Sequence, residues 1–423
     1  MSRLNAVTTT VSRRDHSMWL KAALWLMLSL TSLAPLAESQ APASAGPLSP
    51  ADEVVHALCG EHVVLLGENP IHGFADTLDF KVQTVNRLVD ECHFNALYFE
   101  AGTYDFIHLE RVRSSGQAIT DQMISAAIGG LWANKETQAL VPFLTEKVKV
   151  GSLILGGLDD QLGAGTWASR EMSFDLVQPL QAEEKARCTA ILQRHLLWQY
   201  TDDAPYGPAD KQKIVGCLDA IQIKLASAEE KTESAEQSRV IVKSLQRYFA
   251  RNFTEDDFTK KDQALRWMND RDRSMYINYT WLRDRLPANS KIIVWAATVH
   301  TAKDFSGVAG FEGRVPLGFY LHQDERGKAF SLGFSAYSGE YSFTHQPVKR
   351  LRDAPASSLE AQVFAHSNSD TVYLSAEQLR QFGSSPARVL GTDFYSGLWD
   401  QIIDGLIVFR QERAPTWIKR ATQ

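Results

Sequence analysis

The densest chemistry in the sequence follows a short apolar run. Val63 to Leu66 lead into Gly67 and Glu68, and His72 comes four positions after that carboxylate. Imidazole titrates near neutrality, and a carboxylate beside it fixes which ring nitrogen carries the proton. The pattern recurs along the chain. Glu100 closes "NALYFE", Asp159 and Asp160 follow "LILGGL", and His300 comes just after "KIIVWA". Arg271 and Asp272 fall within a helical apolar stripe made by Leu265, Met268, Met275, Tyr279, Leu282 and Leu286. A charge on a buried face needs a partner or a task. The pair either locks this helix to the core as a salt bridge or belongs to a site. Singly, each of these groups has a structural explanation, as a capping carboxylate or a histidine bonded to a loop carbonyl. Their recurrence at the ends of apolar runs points to a common site.

The residue types narrow the reaction. The sequence holds no G-x-S-x-G elbow, no H-E-x-x-H pair and no Walker-type phosphate loop, and its four cysteines lack zinc-site spacing. Water chemistry remains, with a histidine as general base, carboxylates setting its tautomer, and a cation facing the developing oxyanion. A divalent metal held by Glu68, His72, Glu100 and His300 is the competing use of the same groups.

These residues need elements that bring them together. Apolar runs at 62–67, 95–100, 152–158, 291–296, 330–335 and 405–409 are nearly continuous rather than alternating, which suits strands buried on both faces. Helical patterns separate the early runs, beginning with a helix over 51–58 that has Ser49 as cap and Pro50 at its first position. The class is therefore α/β, a mainly parallel central sheet flanked by helices. Residues 166–290 contain no strand pattern and read as a helical insertion between the third and fourth strands, splitting the core into 50–165 and 291–415. Ligands of such sheets bind outside the carboxyl ends of the strands, where the titratable groups fall.

The 423 residues are 44% hydrophobic and carry a formal charge of -6, with basic residues scattered, so nucleic acid is not expected as a partner. Residues 1–45 have the form of an export signal and linker, with Arg3, Arg13, Arg14 and Lys21 preceding an apolar run. That reading implies a periplasmic or secreted protein with no other membrane association. Disulfides pairing Cys59 with Cys92 and Cys188 with Cys217 suit that compartment, if the strands at 62–67 and 95–100 are parallel neighbours. Four free buried thiols are the alternative.

At these same residues the chain resembles the erythromycin esterase family. "GENPIHG", Asp79 with Lys81, "YFEAG", "LWANKETQALVPFL", "LILGGLDD", "RDRSMYINYTWL", "IIVWAATVH" and "GLIVF" follow the family's motifs in order, over roughly residues 52–412. The loop from Glu68 to His72 is one residue longer than the family pattern and contains Pro70. Ala297 and Thr298 stand where the pattern has His and Asn. The resemblance implies His72 as the base that activates water against a lactone ester, with Glu68 and Glu100 orienting it and Arg271 and His300 completing the site. Trp132, Lys81 and Asp159 are then expected at the substrate. It implies no cofactor and a small-molecule ester or lactone as partner, macrolide antibiotics included. A metal-dependent hydrolase or peptidase, and a non-catalytic periplasmic binding protein, are the readings that compete with it.

Overall fold

The parallel arrangement follows from the apolar runs. In the computed structural model, which describes residues 48–227, 232–251 and 260–418, strands β1 (Val63–Leu66), β2 (Ala96–Gly102), β3 (Ile154–Asp159), β4 (Ile292–Trp295) and β5 (Ala329–Tyr341) occupy the first five expected runs, and the last strand of the chain occupies the sixth. The short strand β6 (Lys349–Leu351), β7 (Thr371–Ser375), the pair β8 (Ser384–Ala387) and β9 (Tyr395–Leu398), and β10 (Gly405–Glu412) follow. The main sheet runs β3-β2-β4-β1-β5-β10-β7, with β6 paired to β5; β8 and β9 form a separate two-stranded sheet. Every pairing from β3 to β10 is parallel, and β7 lies antiparallel to β10 at the edge. β4 and β5 flank β1 in register, Leu66 lying opposite both Trp295 and Leu332.

Two aspects differ from the sequence expectation. β1 and β2 are not neighbours, because β4 lies between them and pairs with both. β7 has no counterpart among the expected runs, nor have the short β6, β8 and β9: "TVYLS" is a short, half-buried edge strand, so it lacks the continuous apolar signature of the inner strands.

Helices cover both faces. On one face α1 (Pro50–Leu58) and α2 (Ala75–Cys92) pack with β1, β2 and β4 through Leu58, Leu78, Val85, Leu66, Phe99 and Trp295. The Ser49 side chain accepts from Asp52 N, capping α1 as its sequence suggests. α3 (Thr103–Ser114) starts directly after β2. Between β3 and β4 come the long helices α4 (Ala182–Leu196), α5 (Pro208–Ser227), α6 (Glu233–Arg251) and α7 (Lys261–Arg283), the first three around a core of their own that includes Cys188, Leu218 and Leu245. No helix among the described residues is long and apolar enough to cross a membrane. The expected export segment, 1–45, lies outside the described residues.

Both cysteine pairs sit at disulfide distance. The Cα atoms of Cys59 and Cys92 are 5.1 Å apart, and those of Cys188 and Cys217 are 5.5 Å apart. The first pair forms although β1 and β2 are not adjacent, because Cys59 caps α1 and Cys92 ends α2, and these helices pack together. Lys291, at the entry to the intervening β4, donates to the carbonyls of Cys59 and Cys92 at 2.6 and 2.9 Å. Under oxidising conditions Cys59→Ser and Cys92→Ser are each expected to lower unfolding free energy by the same amount, about 2–4 kcal/mol. Paired urea titrations test this, and unequal effects would count against the bond.

Candidate active site

Because β1 to β4 run parallel, their carboxyl ends meet along one edge. There the chain leaves β1 through Gly67, where a Cβ atom would lie 2.6 Å from Thr298 Oγ1 and 2.9 Å from the Leu332 carbonyl. Only a residue without a side chain passes so close. Asn69 then organises the turn: its Oδ1 accepts from Ile71 N at 3.0 Å and its carbonyl from His72 N at 2.8 Å. His72 takes a left-handed backbone, φ 55°, which costs energy for a side chain of this kind and is the sort of strain found at functional sites. Gly73 follows with its Cα against the Ser342 carbonyl, since a Cβ would fall 1.9 Å from that oxygen. The extra residue and Pro70 therefore do not carry the imidazole away from Glu68. His72 Nδ1 lies 3.0 Å from Glu68 Oε1.

That one carboxylate oxygen gathers donors. Trp132 Nε1 donates to it at 2.9 Å and Trp295 Nε1 at 3.1 Å, while Lys81 Nζ lies 3.3 Å away and 4.2 Å above the Trp295 ring. Burial alone would raise the Glu68 carboxyl, but Lys81 and then His72 outweigh it and hold it below its ordinary value. Burial also pushes Lys81 down to about 8 against the pull of Glu68. The Trp132 ring meets the His72 ring edge-on, with centroids 5.0 Å apart.

A second cluster centres on Glu100 and Arg271. Arg271 Nη2 donates to Glu100 Oε1 at 2.8 Å and to Asp159 Oδ2 at 2.6 Å. Ala297 N donates to Glu100 Oε2 at 2.8 Å, and His300 Nε2 lies 3.2 Å from Oε1. On its other side His300 Nδ1 meets Asp272 Oδ1 at 2.9 Å. Asp272 also accepts from Leu317 N at 2.7 Å and Arg314 Nη2 at 2.5 Å. Burial would push Glu100 up, yet His300 and Arg271 carry it well below the carboxylate range. Burial would push His300 down, and Asp272 with Glu100 instead raise it to about 9. The raised value favours the imidazolium, while Arg271 Nη1, a donor only, lies 3.1 Å from His300 Nε2 beside the same Glu100 oxygen.

These shifts set a pH dependence. A histidine raised above its unfolded value of about 6.5 stabilises the fold fully below that pH and loses the contribution as pH rises through its folded value. Glu412 acts in the same sense: burial raises it to about 8, so its proton is lost with rising pH at a cost to the fold. Lys81 acts in the opposite sense, but only above about 8. The melting temperature is therefore expected to fall between about pH 6.5 and 8. His300→Gln should flatten part of that slope, and a slope unchanged in the variant would remove His300 as its source.

The expected site residues thus form two neighbouring groups, Glu68–His72 and Glu100–Arg271–His300. The three expected at the substrate are buried against these groups. Lys81 is fully buried beneath Glu68, Trp132 is fully buried as a donor to Glu68, and Asp159 is buried as a partner of Arg271. The contacts place them as supports for charged groups of the site. Asp160 and Tyr104 belong to a separate network: Asp160 accepts from Arg251 and Ser274, and Tyr104 donates to the Asp160 carbonyl at 2.7 Å. Among the described residues no group of three or more His, Cys, Asp or Glu is arranged to hold a metal ion, and each of the four alternative ligands has a protein partner.

Sequence reasoning missed Trp295 and Arg314. Trp295 read only as part of a strand, although a Trp at the carboxyl end of a buried strand has an N–H to satisfy. Asp272 was legible as a buried charge in need of a partner, but nothing local marks Arg314 as that partner.

Comparison with known proteins bears on the family and the fold. The family model described as erythromycin esterase matches residues 89–417, an interval that starts after the Glu68–His72 loop. YbfO of Bacillus subtilis (strain 168), a protein named as a hydrolase, is 22% identical over 333 residues, with 72% of each chain covered. Among solved structures, a succinoglycan biosynthesis protein superposes with a TM-score of 0.63 at 14% identity, over 86% of this chain and 92% of that one. A Bacillus cereus protein gives 0.62 at 17%, over 88% and 94% of the two chains. A mutant of erythromycin esterase EreC in its open conformation gives 0.56 at 16%, over 85% and 93%. At such identities the likeness to the solved structures is one of fold.

Proposed function

We propose, for a chain that belongs to the erythromycin esterase family and is a hydrolase of ester bonds, that His72 activates water against a lactone or similarly hindered ester without a metal ion. The observation that carries this reading is the buried Glu68–His72 pair. With Glu68 Oε1 accepting at Nδ1, the imidazole proton belongs there, and the lone pair belongs to Nε2, which no hydrogen bond among the described residues reaches.

In the proposed reaction, Nε2 takes a proton from water as its oxygen bonds to the ester carbonyl carbon. The imidazolium so formed is stabilised by Glu68, whose negative charge is kept by Lys81 and the two indole donors. The carbonyl π electrons move to oxygen, and the cationic pair Arg271 and His300 supplies the field for that oxyanion. When the tetrahedral species collapses, the C–O bond breaks and the alkoxide takes the proton back from Nε2. For a lactone the product is one hydroxy acid, a gain of one water.

The two cysteine pairs at disulfide distance support a place of action outside the reducing cytoplasm. That would put the enzyme where an antibiotic lactone is first met.

The test is mass spectrometry of erythromycin, other macrolides and simple lactones incubated with the protein, with and without chelator. Gain of one water, indifferent to chelator, is the expected result. Hydrolysis stopped by chelator and restored by a divalent ion would replace this mechanism with a metal-dependent one. Absence of hydrolysis across the panel would remove lactones as the substrate class.

A further inference from the structure

β10 runs parallel to β5, and β5 to β1, so the chain leaves β10 at the edge of the sheet where Glu68 and His72 follow β1. Residues 413–418 then bond to three segments in turn. The Arg413 carbonyl accepts from Ala75 N at 2.8 Å, at the start of α2 and three residues after His72. The Thr416 carbonyl accepts from Lys135 N and Ile418 N donates to the Ala133 carbonyl, both at 2.9 Å, so Trp417 lies opposite Asn134 in a short antiparallel bridge. That bridge begins one residue after Trp132. The Trp417 side chain reaches the third segment, just past the end of β5. Its Nε1 donates to Ser342 Oγ at 2.7 Å, and its ring meets that of His345 with centroids 5.8 Å apart.

Two of the partners lead straight to the Glu68–His72 pair. Ser342 is buried against the residue that follows His72: its N donates to the Gly73 carbonyl at 3.2 Å, and its own carbonyl leaves no room for a Cβ at Gly73. Trp132, two residues before Asn134, donates to Glu68 Oε1 and sets its ring edge-on to His72. Trp417 stands between these partners, bonded to one by its side chain and to the other's segment by its main chain. A left-handed histidine persists only where its surroundings hold it. A displacement of about 1 Å at such a pair can cost about 100-fold in rate.

We infer that Trp417 is a positioning residue for the reaction proposed above: it clasps the turn that carries His72 to the segment that carries Trp132, so that both meet the same oxygen of Glu68. The role rests on that reading of the site, but the clasp itself can be measured without a substrate.

Trp417→Phe keeps a ring beside His345 and removes the N–H that bonds Ser342, while Ser342→Ala removes the acceptor. Each is expected to lower kcat by about three- to tenfold, within the worth of a neutral hydrogen bond, with KM changed by less than about twofold. Hydrogen exchange at the Trp132 indole N–H, followed by proton–nitrogen NMR on the full chain, should quicken by a similar factor in each variant. Exchange at Trp399 should stay as in wild type. Trp399 is also fully buried and donates to the Ser385 carbonyl at 2.8 Å in a different core, so it reports any general loosening. The double variant should be no worse than either single one, since both changes remove one bond. Trp132 exchange that is unchanged, or quickened no more than that of Trp399, would overturn the clasp. So would an unchanged kcat in both variants of an enzyme shown to hydrolyse an ester. Absence of hydrolysis in wild type would overturn the proposed reaction and the role within it, and the exchange rates alone would then decide the clasp.

Discussion

Replacing His72 with alanine is expected to lower the turnover of any ester the protein hydrolyses by about 10²- to 10⁴-fold, the usual contribution of a positioned general base. The loss should fall on the chemical step, because His72 activates water in the proposed reaction and is not required to bind the ester. Fold and melting temperature should change little in comparison. Glu68→Gln offers a sharper comparison, since it leaves the shape nearly unchanged. It removes the negative charge that steadies the imidazolium, so activity should fall although the ring still has a neighbour at 3.0 Å. The structural cost of that change is real, because Lys81, fully buried, would lose its counter-charge. Measured turnover that survives His72→Ala would sink the assignment of the base.

The largest expected effect on stability lies elsewhere, at Asp272. This carboxylate is fully buried and meets Arg314, His300 and Leu317 N at once. Burial would raise its titration, but His300 and Arg314 draw it below the ordinary value, so it is ionised throughout the neutral range. Asp272→Ala strands a buried guanidinium and an imidazolium without their shared partner. Removing one side of such a buried group costs about 3–5 kcal/mol, to be read from denaturant midpoints. The double substitution Asp272→Ala with Arg314→Met should recover part of that loss, because the second change removes the stranded charge. If Asp272→Ala cost less than about 1 kcal/mol, the range of an exposed pair, the cluster would not be holding α7 to the sheet.

Asp272 also marks how far the sequence could be read. Its presence in an apolar stripe was visible, and a buried ion pair or a site was the correct inference. Its partner was not visible, since Arg314 comes from a segment whose only local features are glycines and a proline. The same division applies to the sheet. Strands that are buried on both faces announced themselves as continuous apolar runs, and their carboxyl-end residues followed. The insertion of β4 between β1 and β2 was not readable, because pairing order depends on contacts between distant segments and leaves no local trace. The half-buried edge strand β7 was missed for the complementary reason, that one side of it faces away from the core. Glu68 and His72 were legible as a candidate pair from their spacing and from the recurrence of titratable groups at strand ends. That Trp132, Lys81 and Trp295 converge on one oxygen of Glu68 required three elements to be seen together.

The position of β4 bears on the order in which a growing chain can acquire activity. β1 and β2 emerge early, yet the strand that joins them does not begin until Ile292, after the long helices have been made. Until then the edges of β1 and β2 that will receive β4 have no partner, and Trp295, Arg271 and His300 are not yet in place. A nascent chain ending before β4 would expose two apolar strand edges, the kind of surface that chaperones protect. The candidate site is therefore completed late, and folding of the core follows synthesis of the insertion that interrupts it.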